Sequence, residues 1–180
     1  MIINIIAAVD DNLGIGKNNN MPWHSGDDLR FFSKTTIGDG NNAILMGRRT
    51  WEAIGKKPLH KRFNAILSST EVISDNSIDS ASVYMNIDTA IKACSEKKIS
   101  ELWIIGGATI YESFMNTSLS NIVNKCLLTQ IEGTYDCDTY FPAHPEWAVE
   151  ETNVYGKQNL TVMSLKHISK CFHSHTYKNI

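Results

Sequence analysis

Leu102–Phe114, LWIIGGATIYESF, decides how this chain folds. Its first four residues, Leu102–Ile105, are apolar without alternation, the pattern of a strand buried on both faces. The run ends directly in Gly106-Gly107. Beyond Ala108 and Thr109, the residues Ile110, Tyr111 and Phe114 recur at the spacing of a helix facing a core. A strand, a glycine pair and a helix form a βα crossover that lets the backbone approach a pyrophosphate closely. The plainer alternative is an ordinary tight turn, but two adjacent glycines exceed what such a turn requires.

The same pattern recurs earlier. Ala43–Met46, AILM, runs into Gly47-Arg48-Arg49-Thr50-Trp51-Glu52-Ala53-Ile54-Gly55, again strand, glycine and short helix. Two arginines there point to a bound phosphate, although alone they would read better as a solvated basic turn. Ile2–Val9, IINIIAAV, and Asn64–Ser69, NAILSS, are further buried strands. A short strand at Val83–Met85 precedes a helix over Ile87–Lys97, with Ala90, Ile91 and Cys94 inward. Asn124–Ile131 reads as a strand with Thr129 near its end, and Asp138–Pro142 and Trp147–Tyr155 are strand-like. After a turn at Lys157-Gln158, Leu160–His167 alternates as a half-buried antiparallel strand. The expected fold class is α/β: a three-layer α/β/α domain, its central sheet mostly parallel, with an antiparallel C-terminal hairpin edge. Ligands bind beyond the carboxyl ends of such strands, where the Gly16 loop, Arg48, Ser68-Ser69 and Gly106-Gly107 fall.

Met21–Phe32, MPWHSGDDLRFF, opens a helix expected over about Asp27–Thr36, with Ser25 as N-cap. Asp27 and Asp28 occupy its first turn, where negative charge is favoured. Residues four apart share a face, so Asp28 lies beside Phe32 and Asp27 beside Phe31. One carboxylate therefore looks into an apolar wall, which is costly without a partner. On this stretch alone, two solvated aspartates are the plainer reading. The preceding loop, DDNLGIGKNNN over Asp10–Asn20, lacks the third glycine of a GxGxxG fingerprint and reads as a mobile loop carrying Ile15 and Met21. Lys56–Arg62 is a basic loop, and Thr70–Ser82 is polar without a committed element.

The 180 residues suit one domain, and 42% hydrophobic with 20% charged residues makes it globular. A net charge of −2 gives no basic excess, so nucleic acid and anionic membrane are not expected partners. Cys94, Cys126, Cys137 and Cys171 form no CxxC pair and no metal-ligand spacing; free thiols and no metal are expected. MIINIIAAVDD has no basic n-region and too short an apolar run for a signal peptide or a span, so a cytoplasmic location is expected. The sequons at Asn116 and Asn159 are then not expected to be used.

Taken in order, several motifs resemble dihydrofolate reductase from Ile2 to about His167. They are Gly14-Ile15-Gly16, Met21-Pro22-Trp23, Asp28-Leu29 with Phe32, and Met46-Gly47-Arg48 with Thr50-Trp51-Glu52 and Ile54. Leu67-Ser68-Ser69, Ile105-Gly106-Gly107 with Tyr111, and Asp138-Thr139 with Phe141-Pro142 complete the set. The resemblance implies reduction of 7,8-dihydrofolate to 5,6,7,8-tetrahydrofolate by hydride from NADPH, supporting one-carbon metabolism and thymidylate and purine synthesis. It makes Asp28, five residues past Trp23, the acid that matters, and leaves Asp27 as a solvated neighbour.

In the resemblance, Asp28 would accept two N–H groups of the pterin and promote protonation at N5 through polarisation and a water. Its apolar neighbours would raise its pKa. Thr129 would hydrogen-bond Asp28, and Trp23 would hold the water. Leu29, Phe32, Ile54 and Leu59 would sandwich the ring and the aminobenzoyl group. Arg62 would clamp the glutamyl α-carboxylate, with Lys61 as the alternative. Ala7, Ile105 and Tyr111 complete the implied substrate set. For NADPH, Gly106-Gly107 would approach the pyrophosphate through a cis peptide. Arg48, Arg49, Ser68 and Ser69 would hold the 2′-phosphate. Ala8, Ile15, Gly16 and Thr50 would line the nicotinamide and ribose. Gly47, Leu67, Ile105, Ala108, Thr109 and Ile110 complete the cofactor set, and Ile15–Met21 would be the lid.

Three departures stand out. Ala108-Thr109 replaces a small residue followed by a basic one, which removes a phosphate contact and predicts somewhat weaker NADPH binding. Asn18-Asn19-Asn20 in the lid could alter its open–closed balance. Residues 1–167 form the expected domain. The remainder, ISKCFHSHTYKNI over 168–180, is expected to be a frayed tail, the alternative being a packing segment that uses Phe172 and Tyr177. His173 and His175 alone are weak evidence for a metal. A monomer binding dihydrofolate and antifolates is expected. The rivals are the NADPH-dependent pyrimidine reductase of riboflavin synthesis, which would not need the Trp23–Asp28–Phe32 set, and a catalytically inactive folate- or NADPH-binding protein.

Overall fold

Apolar strands that can satisfy their backbone only sideways build a sheet first. The computed structural model describes residues 1–70, 80–156 and 160–171. The Lys157-Gln158 turn, residues 71–79 of the polar stretch, and Phe172, His173, His175 and Tyr177 of the tail lie outside the described residues. The elements in chain order are β1 (Ile2–Val9), β2 (Gly14–Gly16), α1 (Gly26–Ile37), β3 (Asn42–Gly47), α2 (Arg48–Ala53), β4 (Phe63–Leu67), β5 (Ala81–Tyr84) and α3 (Ile87–Glu96). There follow β6 (Glu101–Ile104), α4 (Ala108–Met115), a 3₁₀ turn (Ser118–Ile122), β7 (Val123–Gln130), β8 (Thr139–Tyr140), β9 (Trp147–Tyr155), β10 (Leu160–His167) and α5 (Ile168–Cys171).

Eight strands form one sheet in the order β5-β4-β3-β6-β1-β7-β10-β9, and β2 pairs with β8 in a separate ribbon. Strands β5 through β7 in that order are parallel neighbours, and β10 is antiparallel to both β7 and β9. The expected α/β class with an antiparallel edge therefore holds. Along β1, alternate residues feed two cores, Ile5 and Val9 into one, Ile6 and Ala8 into the other. The first core takes Ala90 and Cys94 of α3 and Phe114 of α4; the second takes Phe31 and Phe32 of α1 and Trp51 of α2. Those are the three layers.

Helix starts differ in a way that matters for the site. Ser25 caps α1, its Oγ accepting from the Asp28 N–H at 3.2 Å, and Asn86 caps α3 through the Thr89 N–H at 2.9 Å. α2 and α4 instead begin at Gly47 and Gly107, with no side-chain cap. Two departures from expectation concern loops. The Asp10–Asn20 loop is not free of structure, since β2 pairs there with β8. The chain also continues past His167 as α5, with the Ile168 N–H donating to the Glu146 carbonyl at 2.7 Å. Cys94, Cys126 and Cys137 are free and buried, and burial pushes the Cys94 thiol up to about 11, the neutral and unreactive form.

Phe114 is fully buried where α4 meets the sheet. Phe114→Ala should cost about 3–5 kcal/mol, read as a lower urea midpoint at unchanged m-value; a loss below about 1 kcal/mol would mean α4 is not packed as described.

Candidate active site

The Ser25 cap starts α1 so that Asp27 and Asp28 both fall in its first turn. Asp28 is buried, and desolvation raises its pKa above the ordinary value; the hydrogen bond with Thr129, on β7 opposite Ala8 of β1, works against that rise. Ala8, Phe32, Ile54, Leu59 and Ile105, each partly buried, pack against the second core, which includes Ile6 and Trp23. The Trp23 indole N–H is buried and has no partner among the described residues. A buried donor of this kind calls for a water or a ligand atom. Leu29, next along α1, is 43% exposed.

Asp27 departs from expectation. It is 5% exposed against 7% for Asp28, is ion-paired with Arg30, and lies under Gly156, where a Cβ would come 2.5 Å from its Oδ2. The reason is that the end of β9 folds over the start of α1, with the rings of Phe31 and Tyr155 4.8 Å apart. Asp27 is thus a buried, paired carboxylate and not a solvated one.

Arg62 is 8% exposed, and burial pulls its guanidinium below the ordinary value. Its Nη1 donates to Thr36 Oγ1 at 2.7 Å, its Nε to the His60 carbonyl at 3.0 Å, and it lies 5.8 Å from the Phe32 ring centroid. Lys61 is exposed. Two expected substrate residues are placed differently. Ala7 turns its side chain into the first core. Tyr111 is also in that core, its hydroxyl donating to the Ile6 carbonyl at 2.9 Å. Ile6 went unnoticed in the sequence, although its two-residue offset from Ala8 puts it on the same face.

Beyond the strand ends, a cleft of about 690 Å³ brings together Gly47, Arg48, Arg49, Thr50, Gly107 and Thr109, with Leu67, Ala108 and Ile110 also in its wall. A second, of about 620 Å³, adds Ser68 and Ser69 and shares Leu67 and Ile110 with the first. Asn19, Glu52, Asp138, Met85, Asn86 and Asp88 also line these clefts; no sequence signal singled them out for this role. Ile15, partly buried, packs on the first core. The Gly47 N–H donates to the Gly106 carbonyl at 2.8 Å, and the Gly106–Gly107 peptide is cis. A Cβ on Gly47 would come 3.3 Å from Ile110, and one on Gly107 3.4 Å from Thr50 Oγ1. The glycines thus keep open a space between two uncapped helix starts, which suits the phosphates of a dinucleotide.

Gly16 belongs to the lid. Lys17 and Asn20 close a tight turn whose central residues, Asn18 and Asn19, have φ of 49° and 61°, a conformation asparagine tolerates. Three contacts hold the lid down. The Asn18 N–H donates to Asp138 Oδ2 at 2.8 Å, Lys17 pairs with Asp136 at 2.6 Å, and Asn19 Nδ2 donates to the Arg49 carbonyl at 3.2 Å. At the lid's base, burial would raise the Asp10 pKa, but N–H bonds from Gly14, Tyr135 and Asn12 hold it below the ordinary value.

A mostly parallel sheet with a phosphate-sized cleft beyond its strand ends, in a domain that also buries a desolvated carboxylate, is the arrangement of a nucleotide-dependent enzyme of the α/β class. The family model described as dihydrofolate reductase matches residues 2–170. The dihydrofolate reductase of Drosophila melanogaster is 36% identical over 150 residues, 79% of this chain and 80% of that protein. That of Buchnera aphidicola subsp. Acyrthosiphon pisum (strain APS) is 38% identical over 164 residues, 88% of this chain and 93% of that protein. That of Candida albicans is 39% identical over 137 residues, 71% of this chain and 67% of that protein. The chain belongs to the dihydrofolate reductase family. Its reaction is the reduction of dihydrofolate with NADPH, and the pyrimidine reductase reading is set aside. No helix among the described residues is long and apolar enough to cross a membrane.

Because burial raises the folded-state pKa of Asp28, the folded chain binds that proton more tightly than the unfolded one, and stability falls as pH rises through the window. Asp28→Asn should therefore unfold at higher urea than the parent at neutral pH, with the gap closing below about pH 4. A variant less stable than the parent at neutral pH would contradict this.

Proposed function

We propose that Asp28 anchors the pterin, accepting two N–H groups along one edge of the ring, and that the observation carrying this role is its desolvated position with a hydrogen bond to Thr129. NADPH, when bound, supplies the hydride. The proton goes to N5, the atom next to the carbon being reduced. Asp28 polarises the ring toward accepting it, and a water held by the Trp23 N–H delivers it. Thr129 fixes the Asp28 carboxylate in orientation. Leu29, Phe32, Ile54 and Leu59 exclude water from the ring and the aminobenzoyl group, with Ile105 at the floor. Ala7 contributes through its backbone, and Tyr111 by fixing the Ile6 carbonyl. Arg62, already oriented by Thr36 and the His60 carbonyl, presents its remaining Nη2 to the glutamyl α-carboxylate.

Toward NADPH, Gly47, Gly106 and Gly107 let the backbone approach the pyrophosphate, with Thr50, Ala108, Thr109 and Ile110 around it. Arg48, Arg49, Ser68 and Ser69 take the 2′-phosphate beside Leu67. Ala8, Ile15, Gly16 and Thr50 face the nicotinamide ribose, and the Ile15–Met21 lid keeps water out. The chain acts in the cytoplasm as a monomer and binds diaminopyrimidine antifolates at Asp28. Residues 1–167 carry this chemistry.

Asp28→Asn should nearly abolish dihydrofolate-dependent NADPH oxidation at neutral pH while the fold survives; a full rate would refute the role of Asp28. Arg62→Leu should raise KM for dihydrofolate by about tenfold or more, the size of a lost charge-assisted hydrogen bond, with NADPH affinity unchanged. An unchanged KM in a steady-state assay would free Arg62 of that role.

A further inference from the structure

Residues 59–62 carry two of the groups placed around the substrate, Leu59 and Arg62, yet among the described residues no backbone-to-backbone hydrogen bond holds them. The turn between the two is a demanding one, since Lys61 has φ of 59°, a left-handed conformation that lysine seldom adopts. Thr36 fixes the far end of the Arg62 side chain, but it does not fix where the Arg62 backbone stands.

One buried side chain does. Asn64 is wholly buried on β4 and lies on the same face of the sheet as Ile66, the face covered by Phe32 of α1 and Trp51 of α2. Its Oδ1 accepts from the Leu59 N–H at 2.8 Å. Its Nδ2 donates to the carbonyls of Leu59 at 3.1 Å, Arg62 at 2.8 Å and Ser80 at 3.2 Å. The opposite orientation of the amide would set Oδ1 against those carbonyls, so the partners fix it. An amide offers an acceptor and a donor side by side, as a peptide unit does. Asn64 therefore pairs with both backbone groups of Leu59 as a neighbouring strand would. Asparagine is otherwise a poor choice for a buried strand position, where an apolar residue needs no partner.

We infer that Asn64 is a positioning residue for the substrate. By tying the Leu59 and Arg62 backbones to one amide, it sets the spacing between the apolar wall at the aminobenzoyl group and the clamp on the glutamyl carboxylate. This rests on the placement of Leu59 and Arg62 at that end of dihydrofolate. Asn64 acts through those two residues, so the chemistry at the pterin and the binding of NADPH should not feel its loss.

Steady-state kinetics with two substrates test the inference. Dihydrofolate uses both residues, whereas 6-methyl-7,8-dihydropterin ends before the aminobenzoyl group. Asn64→Ala should raise KM for dihydrofolate about tenfold, the size of a lost charge-assisted hydrogen bond, without lowering kcat. The kcat/KM for the dihydropterin and the dissociation constant for NADPH should stay within about twofold of the parent. In an Arg62→Leu background, Asn64→Ala should raise KM by no more than about threefold, because the clamp it positions is gone. Asn64→Asp keeps the volume and Oδ1 but loses the donors, and it serves if Asn64→Ala does not fold. It should show the same rise in KM at neutral pH, and that rise relative to the parent should shrink as acid protonates the introduced carboxyl and returns a donor. Equal losses on both substrates, or an equal rise in both backgrounds, would make Asn64 a structural residue only and overturn the inference. A parent-like KM in Asn64→Ala beside a raised KM in Arg62→Leu fells the role of Asn64 alone. A parent-like KM in Arg62→Leu fells the reading of Arg62 and the inference with it.

Discussion

The hydrogen bond from the Gly47 N–H to the Gly106 carbonyl, 2.8 Å long, is the constraint on which the site depends. It continues the parallel pairing of β3 with β6, in which Leu45 stands opposite Ile104, from the last residue of β3 to a point past the end of β6. Parallel neighbours end on the same side of a sheet, so two helices that start there must start side by side. Because each starts on glycine with no capping side chain, α2 and α4 present bare N–H groups and the positive ends of their backbone dipoles to one cleft. A Cβ on Gly47 would press on Ile110, which would have to give by a few tenths of an ångström, whereas one on Gly107 would meet Thr50 at ordinary contact.

Asp28 imposes a second condition. A carboxylate at the edge of an apolar core opposes folding, and one hydrogen bond from Thr129 only partly offsets the loss of water. The rest of the molecule must tolerate it, and it does so through well-filled cores in which Ile5, Ile44, Leu45, Met46 and Ile66 are wholly buried. The conflict is local, which is where natural sequences place the groups that do chemistry.

Much of this was legible in the residues. IINIIAAV, AILM and LWII read as strands buried on both faces because parallel neighbours with helices above and below leave no wet side, and their ends came out within a residue or two. Ser25 was readable as a cap because that position needs a short side-chain acceptor. The burial of Asp27 was not, because the strand that covers it is more than a hundred positions downstream and nothing local announces it. The β2–β8 ribbon was missed for the same reason: a three-residue strand has too little pattern to declare a partner at Thr139. The far wall of the second cleft, with Asn86 and Asp88, was equally silent, since those residues also serve as an ordinary helix start.

The position of β1 has a consequence for how the molecule comes into being. It precedes every other described strand in the chain, yet it lies between β6 and β7, with Ile2 opposite Glu101 and Ile3 opposite Val123. Its backbone groups on the two edges wait for partners until β6 and then β7 have been made. An almost purely apolar segment, IINIIAAV, is exposed through that interval. Such long-range pairing slows folding and leaves nascent chains prone to stick to one another, so the segment that ends at the centre of the finished sheet is also the one in greatest need of a chaperone during synthesis.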